Sequence, residues 1–156
     1  MTDRTTLFLI STAILVMLTT AACSDRVSGD AEPVPDLAVS THEAVSIDWA
    51  EDWDAAFVAA RADDKPVMAV FYADWCIWCK RLDNTTLADA RVAKLISDSV
   101  IPVRLDIDRA GKALSRENRV QGPPTIIFFG ADGAEIGRIP GYLPPDGFAQ
   151  RARMFL

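Results

Sequence analysis

Apolar and polar positions recur along this chain with two different periods, and the switches between them lay out its elements. From Asp52 onward, Trp53, Ala56, Phe57 and Ala60 return at 3.6-residue spacing while Asp54, Arg61 and Asp63 fall elsewhere, which predicts an amphipathic helix. Asp63-Asp64-Lys65-Pro66 ends it. Residues 66–73 are then apolar on both faces, as expected of a strand in the middle of a sheet covered by helices. A helix-compatible run over 76–84 follows, and Thr86 or Asp89 can cap a further helix to about Ser97 with Val92, Leu95 and Ile96 inward. Residues 100–107 read as a strand, 109–118 as a helix and 124–129 as a strand. Ala131-Asp132-Gly133 turns into 134–139 as the second arm of a hairpin. Pro144-Pro145-Asp146 opens a last helix that turns Phe148, Ala152 and Phe155 toward the sheet. Strands alternating with helices, closed by a hairpin and a terminal helix, predict an α/β sandwich with a mixed β-sheet.

Upstream of this domain, read as 47–156, the pattern changes character. One basic residue, Arg4, precedes an apolar run from Leu7 to Leu18, and the small residues Thr19-Thr20-Ala21-Ala22 lead to Cys23. Residues 1–22 read as an export signal. Small residues before a cysteine resemble the bacterial lipobox, in which the cysteine is lipidated, although Thr20 stands where that pattern usually has Leu. Lipidation at Cys23 is the preferred reading, with soluble secretion after Ala22 and a retained anchor as the alternatives. All three place the domain on the periplasmic side of a bacterial membrane. Residues 23–46 are polar, with Gly29, Pro33 and Pro35, and read as a flexible linker whose reach is on the order of 25 Å. His42, the only histidine, falls in this linker and is read as solvated.

Composition narrows the partners. With 22 acidic against 16 basic residues the net charge is −6, which argues against nucleic acid or anionic lipid as the main partner. A monomer acting on polypeptide thiols fits better. Half of the residues are hydrophobic, enough for a core without disulfide staples.

The chemistry sits where the central strand gives way to a helix, in Ala73-Asp74-Trp75-Cys76-Ile77-Trp78-Cys79-Lys80. Backbone N–H groups and the positive end of a helix dipole favour a thiolate in the first helical turn, so Cys76 reads as the attacking nucleophile. Two intervening residues bring Cys79 to the next turn, where it can resolve a mixed disulfide formed at Cys76. A structural bridge is the plainer alternative. A zinc site is disfavoured because only Cys23 and His42 remain as soft ligands, both far upstream, and no metal is expected. Trp75 and Trp78 look like a docking surface, whereas Trp49 and Trp53 are read as packing residues. Asp74 and Lys80 flank the motif and are read as solvent-facing.

Residues 65–80, then Val120-Gln121-Gly122-Pro123-Pro124-Thr125-Ile126-Ile127-Phe128-Phe129, and the later Gly141-Tyr142, together resemble thioredoxin-like domains, above all the C-terminal periplasmic domain of the DsbD family of membrane thiol reductases. The resemblance implies a thioredoxin fold, with a central mixed sheet flanked by helices. It implies thiol–disulfide exchange with no cofactor beyond the Cys76–Cys79 pair. It also implies that Pro124, preceded by Pro123, is cis and lies against the cysteines, with Pro123, Pro124 and Thr125 lining the client site beside Trp75 and Trp78.

One position departs from that pattern. The family commonly carries a buried acid six residues before the first cysteine, where this chain has Val70. Asp83 is the candidate substitute, as a general base or a tuning group for the pair, because helical spacing from Cys76 and Cys79 would put all three on one face. The competing reading is a solvated helix residue. Ile77 and Trp78 supply no charge that would stabilise a thiolate, so reduction of disulfides in exported proteins, fed by a DsbD-type membrane electron donor, is the expected direction. The alternatives are net oxidation or isomerisation, or a non-catalytic binding or chaperone-like module.

Overall fold

The computed structural model describes residues 46–156, so the export signal, Cys23, His42 and nearly all of the linker lie outside the described residues. Ten elements follow in order. They are α1 (Trp53–Asp63), β1 (Val67–Tyr72), α2 (Ile77–Arg81), a π-helical turn (Leu82–Thr86), α3 (Ala90–Ser99), β2 (Ile101–Asp106), α4 (Lys112–Glu117), β3 (Thr125–Phe129), β4 (Glu135–Pro140) and α5 (Pro145–Ala152). The sheet order is β2-β1-β3-β4. β1 runs parallel to β2 and antiparallel to β3, and β3 pairs antiparallel with β4, so the sheet is mixed as expected.

β1 is buried on both faces. Val67, Ala69 and Phe71 pack with Ala56, Phe57 and Ala60 of α1, beside Val103, Leu105, Ile127 and Phe129. Met68 and Val70 face the other way, into Val92 and Ile96 of α3, Phe148 and Ala152 of α5, and Ile126 and Phe128 of β3. An alternation of faces over an uninterrupted apolar run is what a central strand between two helical layers requires. Trp53 belongs to the first layer, its ring 4.8 Å from Phe57 and 5.2 Å from Phe129.

Helix ends are set by side chains. Asp52 accepts the Ala55 N–H at 2.8 Å and starts α1, and Asp64, in the left-handed conformation at φ 53, ends it. Of the two candidate caps for α3, Asp89 is the one used: it accepts the N–H groups of Arg91 and Val92. Hydrogen bonding from the Arg91 side chain, ahead of these backbone bonds, holds the Asp89 carboxyl below its usual range.

Three boundaries differ from the sequence reading. The helix expected over 76–84 stops as α-helix at Arg81 and continues as the π-helical turn. The Thr85 hydroxyl donates to the Arg81 carbonyl at 2.7 Å and the Thr86 hydroxyl to the Leu143 carbonyl at 2.6 Å, and this competition for backbone acceptors accompanies the wider turn. The helix expected from 109 begins only at Lys112, because residues 109–111 form a turn in which the Arg109 and Gly111 N–H groups donate to the Asp106 carbonyl. Phe155 lies beyond the end of α5, yet it packs on Phe128 with ring centroids 5.3 Å apart.

Two predictions follow from this packing. A Cβ at Gly137 would clash with the edge of the Phe155 ring, so Gly137→Ala should destabilise the domain by about 1 to 3 kcal/mol in urea titration. Because folding lowers the Asp89 pKa, its contribution is present above the unfolded carboxylate range and lost as pH falls through the folded value. Asp89→Ala should therefore lower the melting temperature at pH 7 by more than at pH 3, as read by circular dichroism.

Candidate active site

The end of β1 delivers the motif. Cys76 is the N-cap of α2, with extended backbone at φ −77 and ψ 109, and its sulfur accepts the Cys79 N–H at 3.1 Å. The sulfur thus occupies the place that a serine or aspartate oxygen takes at most helix starts, where otherwise unpaired N–H groups converge. The same donor favours a thiolate when the pair is reduced. Cys76 and Cys79 stand at disulfide distance with Cα atoms 5.3 Å apart. Both residues are buried, packed with Ala73 and against Tyr72 and Ile107. The other neighbour of Cys76 Sγ is the Pro123 carbonyl oxygen at 3.4 Å.

That oxygen belongs to the second motif. The Pro123–Pro124 peptide bond is cis. Pro124 is buried, the Thr125 hydroxyl donates to the Gly122 carbonyl at 2.7 Å, and the Gly141 N–H donates to the Pro124 carbonyl at 2.8 Å. Gly141 holds φ +79, a backbone region that side chains disfavour, and so lets the loop after β4 close onto the proline loop. The structure brings Pro123, Pro124 and Thr125 to the cysteines, across β1 from α2.

Apolar side chains are displayed around the buried pair. Trp75, Ile77 and Trp78 are 67%, 74% and 50% exposed, unusual for side chains of this size. Trp75 Nε1–H donates to Asp108 Oδ2 at 2.7 Å. Trp78 lies 5.8 Å from the Tyr142 ring, and the Arg81 guanidinium sits over both rings at 5.6 and 5.1 Å. A hydrogen bond with the Thr85 hydroxyl, followed by the influence of Arg81, lowers the pKa of Tyr142 against the opposing effect of burial. Asp108 and Arg81 were not singled out from the sequence. An acid two residues past a strand and an arginine two residues past a cysteine carry no spacing signal of their own.

Asp83 is ion-paired across the sheet. It falls in the π-turn that begins at Leu82, and its carboxylate accepts from the Arg104 guanidinium at 2.9 Å. Arg104 in turn lies 4.4 Å over the Tyr72 ring, the ring that packs on the cysteine cluster, and 5.3 Å over Trp49. Val70 is 1% exposed and pairs in register with Arg104, so the position of the family's buried acid is part of the apolar core. Asp74 and Lys80 are exposed, as read from the sequence, but Asp74 is ion-paired with Arg109 at 3.0 Å. Among the described residues no group of three His, Cys, Asp or Glu side chains is placed to hold a metal ion.

A buried cysteine pair at a helix start, facing a cis-proline loop and ringed by exposed aromatics, can exchange thiols for disulfides and can take an extended polypeptide beside the sulfurs. Comparison with known proteins agrees. A thioredoxin-like domain family matches residues 53–155. DsbD of Yersinia enterocolitica, a thiol:disulfide interchange protein, is 40% identical over 96 residues, covering 58% of this chain, and DsbD of Ralstonia nicotianae is 38% identical over 107 residues, covering 66%. The chain spans only 16% of the length of each of these relatives. The crystal structure of the oxidised DsbD C-terminal domain of Neisseria meningitidis superposes with TM-score 0.59 at 28% identity, covering 66% of this chain and 91% of that one. A thioredoxin from Thermus thermophilus superposes with TM-score 0.63 at 29% identity, covering 69% and 85%. The chain therefore belongs to the thioredoxin-like family, is related to the DsbD C-terminal domain, and carries in Cys76 and Cys79 the pair of a thiol–disulfide oxidoreductase.

Proposed function

We propose that this domain is a reductant of disulfides in exported proteins, acting as a monomer on the periplasmic side of a bacterial membrane. In this reading it is tethered through lipidated Cys23 and re-reduced by a DsbD-type membrane donor. The observation that supports the reducing direction is that no charged group hydrogen-bonds Cys76 Sγ among the described residues, its partners being one backbone N–H group and one backbone carbonyl oxygen. The fewer the groups that stabilise the thiolate, the less the dithiol is favoured over the disulfide, and the more readily the dithiol gives up its electrons.

The exchange runs in two displacements. The Cys76 thiolate attacks one sulfur of the client disulfide, the client S–S bond breaks, a mixed disulfide forms, and the second client sulfur leaves as a thiolate that takes a proton from water. Cys79, once deprotonated, attacks Cys76 Sγ and expels the first client sulfur, which is protonated in turn. The client gains two electrons and two protons, and the domain is left with the Cys76–Cys79 disulfide for a donor dithiol to reduce. Cys79, placed one turn further into α2 with its N–H on Cys76 Sγ, is in reach of that sulfur for the second displacement.

The Asp83–Arg104 pair gives Asp83 the part of a tuning group in this proposal, acting through its ion pair and Tyr72 on the cysteine cluster. Replacing the carboxylate adds net positive charge on that side of the cysteines, and positive charge favours the thiolate.

Three outcomes are expected. Equilibration of the chain with dithiothreitol or glutathione mixtures, followed by alkylation, should give a reduction potential near about −270 mV; a value near about −120 mV would reverse the direction. Cys79→Ser should accumulate mixed disulfides with client proteins on non-reducing gels, and Cys76→Ser should accumulate none. Asp83→Asn should move the pH profile of Cys76 alkylation to lower pH, and an unchanged profile would remove Asp83 from the mechanism.

A further inference from the structure

The two tryptophans of the motif are pulled to opposite sides of the cysteine pair. Trp75 is held by Asp108, in the loop that leaves β2. Trp78 stacks with Tyr142, in the loop that leaves β4. β2 and β4 are the two edges of the sheet, and the cysteines follow β1 between them, so each tryptophan forms a wall on its own side of the sulfurs.

The walls differ in charge. Beside Trp75 stand Asp108, Asp74 and Asp106, with Arg109 bridging the last two at 3.0 and 3.3 Å; three carboxylates against one guanidinium leave that wall negative. Beside Trp78 the charge is Arg81, stacked on two rings and, among the described residues, bonded to no carboxylate. Each wall offers an aromatic face for the stem of a client side chain and a charge for its head.

We propose that these walls read the charges on either side of the client's cysteine, taking a basic side chain against Trp75 and Asp108 and an acidic one against Trp78 and Arg81. The preferred client is thus an extended segment whose reactive cysteine lies between residues of opposite charge, in one order and not the other. The proposal rests on the exchange at Cys76 described above and adds its selectivity. Exposed charges of this kind contribute modestly to affinity and act chiefly on encounter rate and orientation, so the effect belongs in the rate of the first displacement.

The test uses two isomeric peptides, capped at both ends, that carry lysine before and glutamate after a single cysteine, or the reverse. Each cysteine is joined in a mixed disulfide to thionitrobenzoate, so attack by Cys76 on the peptide sulfur releases the coloured thiolate and reports the rate directly. The reduced chain should discriminate between the isomers by about threefold to tenfold. Dithiothreitol, which has no walls, should not discriminate. Arg81→Gln should remove the part of the preference that depends on the peptide glutamate, Asp108→Asn the part that depends on its lysine, and about 0.5 M salt should suppress both. Equal rates for the two isomers, or a preference that survives in the double variant, would overturn the proposal and leave the exchange reaction standing. Release from neither peptide would instead remove the reading on which it rests.

Discussion

Everything in this domain is arranged about a strand that must be dry on both faces. β1 carries no polar side chain from Val67 to Phe71, so it folds only if helices cover it above and below and strands pair with it on either side. A central strand covered this way can leave the core only at its end. The chain there must turn into a helix within a few residues, and a helix that starts at the edge of a covered sheet presents its unpaired N–H groups outward. The reactive sulfur occupies that place. The nucleophile's position is in this sense a by-product of solvating the end of a buried strand.

The same constraint explains why so much of the fold was legible. Two-sided apolarity marks 66–73, and the cap of α3 was narrowed to Thr86 or Asp89, of which Asp89 is used. The CxxC spacing and the Pro123-Pro124-Thr125 run are local in sequence even though they meet across the sheet. What could not be read is what depends on distant side chains. The turn from α-helix to π-helix at Leu82 involves hydroxyls that find acceptors at Arg81 and Leu143, and only the first of these is near in sequence. Asp83 falls in this turn, and its partner Arg104 comes from β2, which no local spacing announces.

The walls around the sulfurs show the same limit. Trp75 and Trp78 are three residues apart, and nothing in that spacing says that one is drawn to the loop after β2 and the other to the loop after β4. Their separation is a property of the sheet order, and it gives a site with little relief of its own two chemically different sides.

The entry of the chain into the domain is itself tied to the sheet. Ala50 bridges Val103 in parallel and donates to the Pro102 carbonyl at 2.8 Å, while Trp49 is stacked by Arg104. One hydrogen bond and one ring contact therefore hold the entry of the chain against the edge of the sheet. The chain is thus fixed to the outer side of β2 before α1 begins, one strand away from the strand that delivers the cysteine pair.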